Sequence, residues 1–437
     1  KTKHNEVAPC QHELAPIFEM GSLAIDDNLL TMEKMKLIAS HHGLVCLQHE
    51  KPFEYVNGSG KHNNWSLCAD GKNLLEPGDD PQDNLQFLVI LACLVAAVDT
   101  HADLLRLSVA SAGNDHRLGA NEAPPAIISV FLGDALSPVV EALINKEHAE
   151  AHERETMDLG VPALPDVLRD NTDRNRTSPF AFTGNKFEFR MCGSQQNLSD
   201  PNVVLNTAVA EQCDRFVEYM DGVSEEEFVP VAMRFVRHTF RDHQRVIFDG
   251  NGYSDEWTAE AEKRGLPNLK TTPDALPALE KPENIALFEK YGVLSESEIH
   301  ARYVADAEQY AKLLNIEANT MAYMTRHLFL PALFNYSGDI ATTVATKAEI
   351  GIEAAAEKEL VRTLTDGINT IMGAVNDLES NNAEAQDKTD PQEQDDFYRD
   401  VVIPSMDHLR TTVDAMEKVC GRDYWPVPSY NKMLFYC

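Results

Sequence analysis

A Gly-rich loop that turns directly into an alternating segment constrains this chain more than any other stretch. In Asn57-Gly58-Ser59-Gly60-Lys61-His62-Asn63-Asn64-Trp65-Ser66-Leu67 the two glycines permit φ > 0 or a close approach of backbone to a ligand. From His62 the period becomes two. This predicts a strand with His62, Asn64 and Ser66 on one face and Asn63, Trp65 and Leu67 on the other. The first face carries ligand-type groups, and the second is mostly apolar and fit for burial. A Walker-type phosphate loop is excluded, because Tyr55 stands where its first glycine belongs and His62, not Ser or Thr, follows Lys61. A nucleotide would have to be held another way, and a metal-ligating His62 is the candidate.

Charge narrows the partners. The 437 residues carry 38 Lys and Arg against 70 Asp and Glu, a formal net charge of −32. That argues against nucleic acid and against an anionic membrane surface, and suits a soluble enzyme that binds cations. No apolar run approaches the roughly 20 residues that span a bilayer. Lys1 to Glu6 hold no apolar signal core, and the chain opens without Met, so the true N-terminus is expected to lie upstream. The eight cysteines are scattered without a C-x-x-C, which reads as free thiols in a reducing, cytoplasmic compartment.

Four further stretches bear on chemistry. Glu6-Val7-Ala8-Pro9-Cys10-Gln11-His12-Glu13 reads as a tight hairpin turning at Pro9-Cys10, with Glu6 directly opposite Glu13. Facing carboxylates repel unless a divalent cation lies between them; otherwise both are solvated on an exposed hairpin. Asp115 to Pro125 reads as a polar loop stiffened by Pro124-Pro125. Its Arg117 and Glu122 are either a surface ion pair or an anion clamp with an acid–base group beside it. Arg174-Asn175-Arg176-Thr177 is a second cationic cluster. Lys186-Phe187-Glu188-Phe189-Arg190 alternates cleanly, with Lys186, Glu188 and Arg190 on one face. That face is either plainly solvated or holds something charged.

The remainder is mostly helical. A helix capped by Asp27 and a buried strand over 43–47 precede the Gly-rich loop, and 84–112 is apolar and helical. Residues 134–172 read as an acid-rich insertion with one helix from Ser137 to Asn145. Helices follow over 203–245, after Ser254 as an N-cap, and from the Ser295-x-x-Glu298 capping box toward Pro331. Another helix is expected over 343–378, a mobile acidic connection over 379–396 and a last helix over about 397–419. The Pro-rich stretch 266–282 suggests a boundary between a body over 1–270 and a helical region over 271–437.

Taken together, several motifs resemble glutamine synthetase, specifically its type III branch. They are His4-Asn5-Glu6-Val7-Ala8-Pro9 with Glu13, Asn57-Gly58-Ser59-Gly60 with His62, Arg117 with Asn121-Glu122-Ala123-Pro124, Asn175-Arg176, and Phe187-Glu188-Phe189-Arg190. Each is short, but five in order with compatible gaps are specific. Gly250 to Trp257 and the long helical C-terminus resemble type III in particular.

The resemblance implies an α+β fold: a curved antiparallel sheet bearing the site on its concave face, helices behind it, and a C-terminal helical region. It implies ATP-dependent ligation of ammonia to L-glutamate, with two or more Mg²⁺ or Mn²⁺ ions. Glu6 and Glu13 would hold the ion on the glutamate and ammonia side, and His62 and Glu188 the ion bridging the ATP phosphates. Asn57 and Gly58 would contact glutamate, and Arg117 and Arg190 would grip glutamate and the transferring phosphoryl group. Glu122 would lie on a closing flap and take a proton from ammonium. Arg176 would face the γ-phosphate, with Asn64, Ser66 and Lys186 near ATP. Homo-oligomeric stacked rings, twelve subunits in all, with sites between subunits are implied too. Two departures touch the ATP side: Ala181 stands where type I has a second Arg, and Asn64 where type I has a His. The family's N-terminal β-grasp domain and its upstream metal carboxylates have no counterpart here. A related carboxylate–amine ligase and a catalytically dead paralogue are the alternatives.

Overall fold

The computed structural model describes all residues except 1, 7, 9, 54–55, 121–122, 146–155, 158–166, 169–177, 429–431 and 433–437. For 2–4, 156–157 and 167–168 only the backbone is described. The chain divides into two compact units, Pro16–His300, and Ala301–Cys437 together with Lys1–Ala15.

In the first unit the chain forms helix α1 (Gly21–His41), then strand β3 (Gly60–Trp65) and a small hairpin of β4 (Cys68–Ala69) and β5 (Lys72–Asn73). Helices α2 (Leu85–Thr100), α3 (Ala102–Leu107) and α4 (Ala112–Arg117) follow, then β6 (Val130–Phe131) and α5 (Gly133–Asn145). A second hairpin, β7 (Thr156–Met157) with β8 (Val167–Leu168), precedes β9 (Phe180–Phe182) and β10 (Phe187–Gly193). Then come α6 (Ser199–Tyr219), α7 (Phe228–His243), α8 (Asp255–Lys263), α9 (Thr272–Ala275) and α10 (Pro282–Lys290).

The main sheet has the order β3-β10-β9-β6. It is mixed and not purely antiparallel, because β6 and β9 run parallel. The connection between them contains α5 and more than thirty further residues, ample for a crossover. One face of the sheet is aromatic: Phe180 stacks on Phe187 at 4.8 Å, and Phe182 meets Phe187 edge-on at 5.3 Å. Phe87 of α2 closes this cluster against Phe182. Helix α2 is the core element. From Phe87 to Asp99 only Ile90 escapes burial, and the helix packs on α6 and α7. Its polar end is satisfied, with Asp99 held by His243 at 2.7 Å and Arg245 at 2.8 Å. A buried carboxylate would otherwise be costly.

Several expectations change here. Helix α1 begins at Gly21 with Met20 before it, so Asp27 is internal, and none of its residues is buried. Residues 44–47 form no strand, and Leu44, Val45 and Leu47 are exposed, because no neighbouring strand pairs with them. Arg117 ends a short helix instead of lying in a loop. Helix α5 starts at Gly133, ahead of the expected Ser137, and buries Leu136, Val139, Val140 and Leu143 despite the acidic composition around it. Ser254 caps α8 as expected, accepting from the Trp257 N–H at 3.2 Å. Glu298 and Ser295 close their capping box.

The second unit contains a hairpin of β1 (Thr2–Asn5) and β2 (His12–Ala15) and a set of helices, most of them long. These are α11 (Glu296–Met324), in which the division between units falls, α12 (Leu330–Glu349), α13 (Ala355–Gln386), α14 (Pro391–Phe397) and α15 (Ile403–Glu417). The expected helix over 343–378 is therefore broken at 350–354, and 379–396 is mostly helical. Its polar composition hides a buried side made by Asn382, Ala385 and Asp395. Two π turns, Thr325–Phe329 and Tyr398–Val402, each stand just ahead of a proline, Pro331 and Pro404. Proline lacks an N–H and its ring presses on the carbonyl four residues back, which here lies inside the π turn. Asn382 ties the helices together: it donates to Asn315 at 2.8 Å and accepts from the Tyr398 hydroxyl at 3.2 Å.

Candidate active site

The predicted strand over the Gly-rich loop is β3, and its faces divide as the alternation requires. His62 and Asn64 are exposed, while Asn63 and Trp65 are buried. The buried side is anchored by helix α6, with Trp65 Nε1 donating to Asn206 at 2.9 Å and Asn63 to Asn202 at 3.3 Å. Ser66 lies just beyond the strand and is exposed.

Beside β3 runs β10. Glu188 pairs with Asn64 and Phe189 with Asn63, but the next pair is Cys192 with Lys61. Arg190 and Met191 thus oppose the single residue His62, a β-bulge. Bulges re-aim side chains and release backbone groups from the ladder. Both effects are present. Glu188 Oε1 reaches diagonally to His62 Nδ1 at 3.1 Å, and Glu188 Oε2 lies 3.9 Å from Arg190 Nε. The carbonyls of the bulge turn toward α4. Arg117 Nη2 donates to the Arg190 carbonyl at 3.1 Å, and Nη1 to those of Met191 and Cys192. Asn114 adds a bond to the Met191 carbonyl at 2.8 Å and accepts from Arg117.

Both arginines are buried, Arg190 at 6% exposure and Arg117 at 5%. Burial lowers the Arg117 pKa, although the nearby Cys192, Tyr253 and Glu50 oppose it. Lys61, also turned inward, donates to the Gln196 carbonyl, and burial brings its ammonium down to about 8.

The glycines of the loop have a definite purpose. Neither Gly58 nor Gly60 adopts a positive φ. A Cβ at Gly58 would stand 2.6 Å from the Glu50 carbonyl, and one at Gly60 would run into the Arg117 guanidinium. The loop lies against Arg117, and Asn57 beside it has a buried Nδ2 that makes no hydrogen bond.

The structure therefore brings together Asn57, Gly58, His62, Arg117, Glu188 and Arg190 around the β3–β10 pair. Asn64 lies on the exposed face, and Lys186 immediately precedes β10. Glu122 and Arg176 lie outside the described residues. Glu6 and Glu13 belong to the other unit, and their expected pairing is corrected: Glu13 faces His4, while the Glu6 N–H donates to the Gln11 carbonyl at 3.0 Å. The register is offset by two residues from a turn at Pro9-Cys10, and Cys10 sits at φ 60°. Among the described residues no group of three or more His, Cys, Asp or Glu side chains is placed to hold a metal ion. The His62–Glu188 pair still suits one as donor chemistry: an imidazole and a carboxylate in contact, with His62 exposed. Sequence reasoning missed Glu50, which is buried and whose neighbours come from distant stretches.

Comparison with known proteins agrees with the motifs. Residues 1–120 match the model for the glutamine synthetase catalytic domain, and residues 232–348 that for the glutamine synthetase C-terminal domain. The chain is 43% identical over 444 residues to the type-3 glutamine synthetase of Dictyostelium discoideum, covering 100% of this chain and 60% of that protein. It is 44% identical over 443 residues to the glutamine synthetase of Butyrivibrio fibrisolvens, covering 62% of it. With that of Bacteroides fragilis (strain YCH46) it shares 38% over 450 residues and covers 61%. The chain thus spans about three-fifths of the length of these curated relatives. The chain belongs to the glutamine synthetase family.

Proposed function

We propose that this protein ligates ammonia to L-glutamate with ATP, giving L-glutamine, ADP and phosphate through a γ-glutamyl phosphate, in the service of cytoplasmic nitrogen assimilation. The observation that carries the reading is the His62–Glu188 contact, with Arg190 beside it and Arg117 bonded behind the bulge.

Phosphoryl transfer to a carboxylate brings two anions together, so positive charge must be fixed where they meet. In this reading Asn57, Gly58 and Arg117 receive glutamate, and Arg190 attends the transferring phosphoryl group. Arg176, Lys186, Asn64 and Ser66 attend ATP. His62 and Glu188 would hold one divalent ion and Glu6 and Glu13 another, Mg²⁺ or Mn²⁺, to neutralise phosphate charge. Glu122 would close over the site, exclude water from the acyl phosphate and take the proton from ammonium. Residues 1–270 would form the catalytic body, and 271–437 a helical region serving assembly into stacked homo-oligomeric rings with shared sites.

The test is ammonium-dependent phosphate release by the full-length protein with glutamate, ATP and Mg²⁺. Absence of glutamine among the products would end the proposal.

A further inference from the structure

Beneath the Gly-rich loop lies a carboxylate that none of the assigned roles uses. Glu50 is 3% exposed. Its Oε1 accepts from the Gln195 N–H at 2.9 Å, and its carbonyl accepts from the Ser59 N–H at 2.7 Å. The side chain runs between two glycines. A Cβ at Gly113 would stand 2.5 Å from Oε2, and one at Gly193 would stand 2.5 Å from Oε1. One residue therefore joins the 58–60 loop, helix α4, the end of β10 and the turn after it. Its negative charge also acts on both inward cations, Lys61 and Arg117. Cys192, their other shared neighbour, is a thiol that burial pushes up to about 12 and so leaves neutral.

We propose that Glu50 is a positioning residue for the glutamate subsite, fixing the Asn57–Gly60 loop and Arg117 against β10 without touching substrate. The inference rests on the ligase reading above. It follows from which groups Glu50 holds. Its carbonyl holds Ser59, next to the glutamate-assigned Asn57 and Gly58, and its carboxylate lies against Gly113 in the helix that ends at Arg117, whereas the ATP-assigned Asn64, Ser66 and Lys186 lie toward the other end of the β3–β10 pair. Losing Glu50 should therefore weaken glutamate binding selectively.

The experiment is steady-state kinetics of Glu50→Gln in the full-length protein. This change keeps the shape and the acceptor for Gln195 but removes the charge. The expected result is a KM for glutamate raised about tenfold, with the KM for ATP changed by less than about twofold. Glu50→Asp, which keeps the charge, should recover part of the loss. An unchanged glutamate KM in folded Glu50→Gln, or equal rises in both KM values, overturns the proposal. If the wild-type protein makes no glutamine, the ligase reading fails separately. Glu50 is then judged by amide hydrogen exchange at Gly58–Gly60. Faster exchange there in Glu50→Gln, with α2 unchanged, supports the positioning role, and equal exchange overturns it. If Glu50→Gln does not fold, the same exchange measurement on Glu50→Asp decides in the same way.

Discussion

Gly60 and Arg117 meet at a separation that admits no side chain: a Cβ on the glycine would stand 2.1 Å from a guanidinium nitrogen. The guanidinium has little room to retreat, since it is bonded to Asn114 and to the carbonyls of the β10 bulge. Gly60→Ala should therefore cost about 2–4 kcal/mol, read as a lowered urea midpoint, because buried charge-assisted bonds are lost. Because the two residues touch, the cost in an Arg117→Ala background should be smaller than in wild type. Equal costs in both backgrounds would refute the steric account.

The pairing of His62 with Glu188 predicts a shared ligand. His62→Ala and Glu188→Gln should each weaken Mn²⁺ binding by about tenfold or more, measured by paramagnetic resonance of free Mn²⁺. The double variant should lose little beyond either single one. Additive losses would mean that the two side chains serve different ions.

A pH effect is expected from the helical unit. Asp395 is fully buried, and neither carboxyl oxygen has a hydrogen-bond partner. Burial, with Asp396 adding to it, raises its pKa from 3.8 to about 8. In this window the native state holds a proton that the unfolded state has released. Stability therefore falls as pH rises from about 4 to about 8, and the penalty is constant above that. Asp395→Asn should raise Tm by roughly 2–4 °C at pH 8 and leave it unchanged near pH 4. Parallel pH profiles for the two proteins would contradict this.

The Ser254 cap gives a smaller and cleaner test. Its hydroxyl satisfies one of the open N–H groups at the start of α8. Ser254→Ala should cost about 1 kcal/mol in chemical denaturation, and Ser254→Asp should be close to neutral.

What could be read in advance was local. The faces of β3 followed from period-two alternation, and the caps at Ser254 and Ser295 from side chains acting within three residues. What escaped was set by distant partners. Glu50 gains its role from Gly113 and Gly193, more than sixty residues away in sequence. The bulge at Arg190–Met191 reverses no polarity pattern, so nothing in Phe187 to Gly193 announces it. Glu6 misses Glu13 because the strand register is shifted by two residues from the one a turn at Pro9-Cys10 would set, which puts His4 opposite Glu13. Leu44, Val45 and Leu47 are apolar yet exposed, which composition alone cannot distinguish from a core strand.

The π turns ahead of Pro331 and Pro404 bear on how the helical unit tolerates change in length. A π turn amounts to one surplus residue, and a residue subtends about 100° around a helix axis. Each long rod is thus two α segments whose sequence repeats are offset by one residue, the π turn absorbing the surplus. Removing a single residue within either splice would restore a regular α-helix and leave every downstream side chain on its present bearing, whereas the same deletion elsewhere in a rod would turn all that follows by about 100°. Tolerance to deletion in this unit should follow the splices and not solvent exposure.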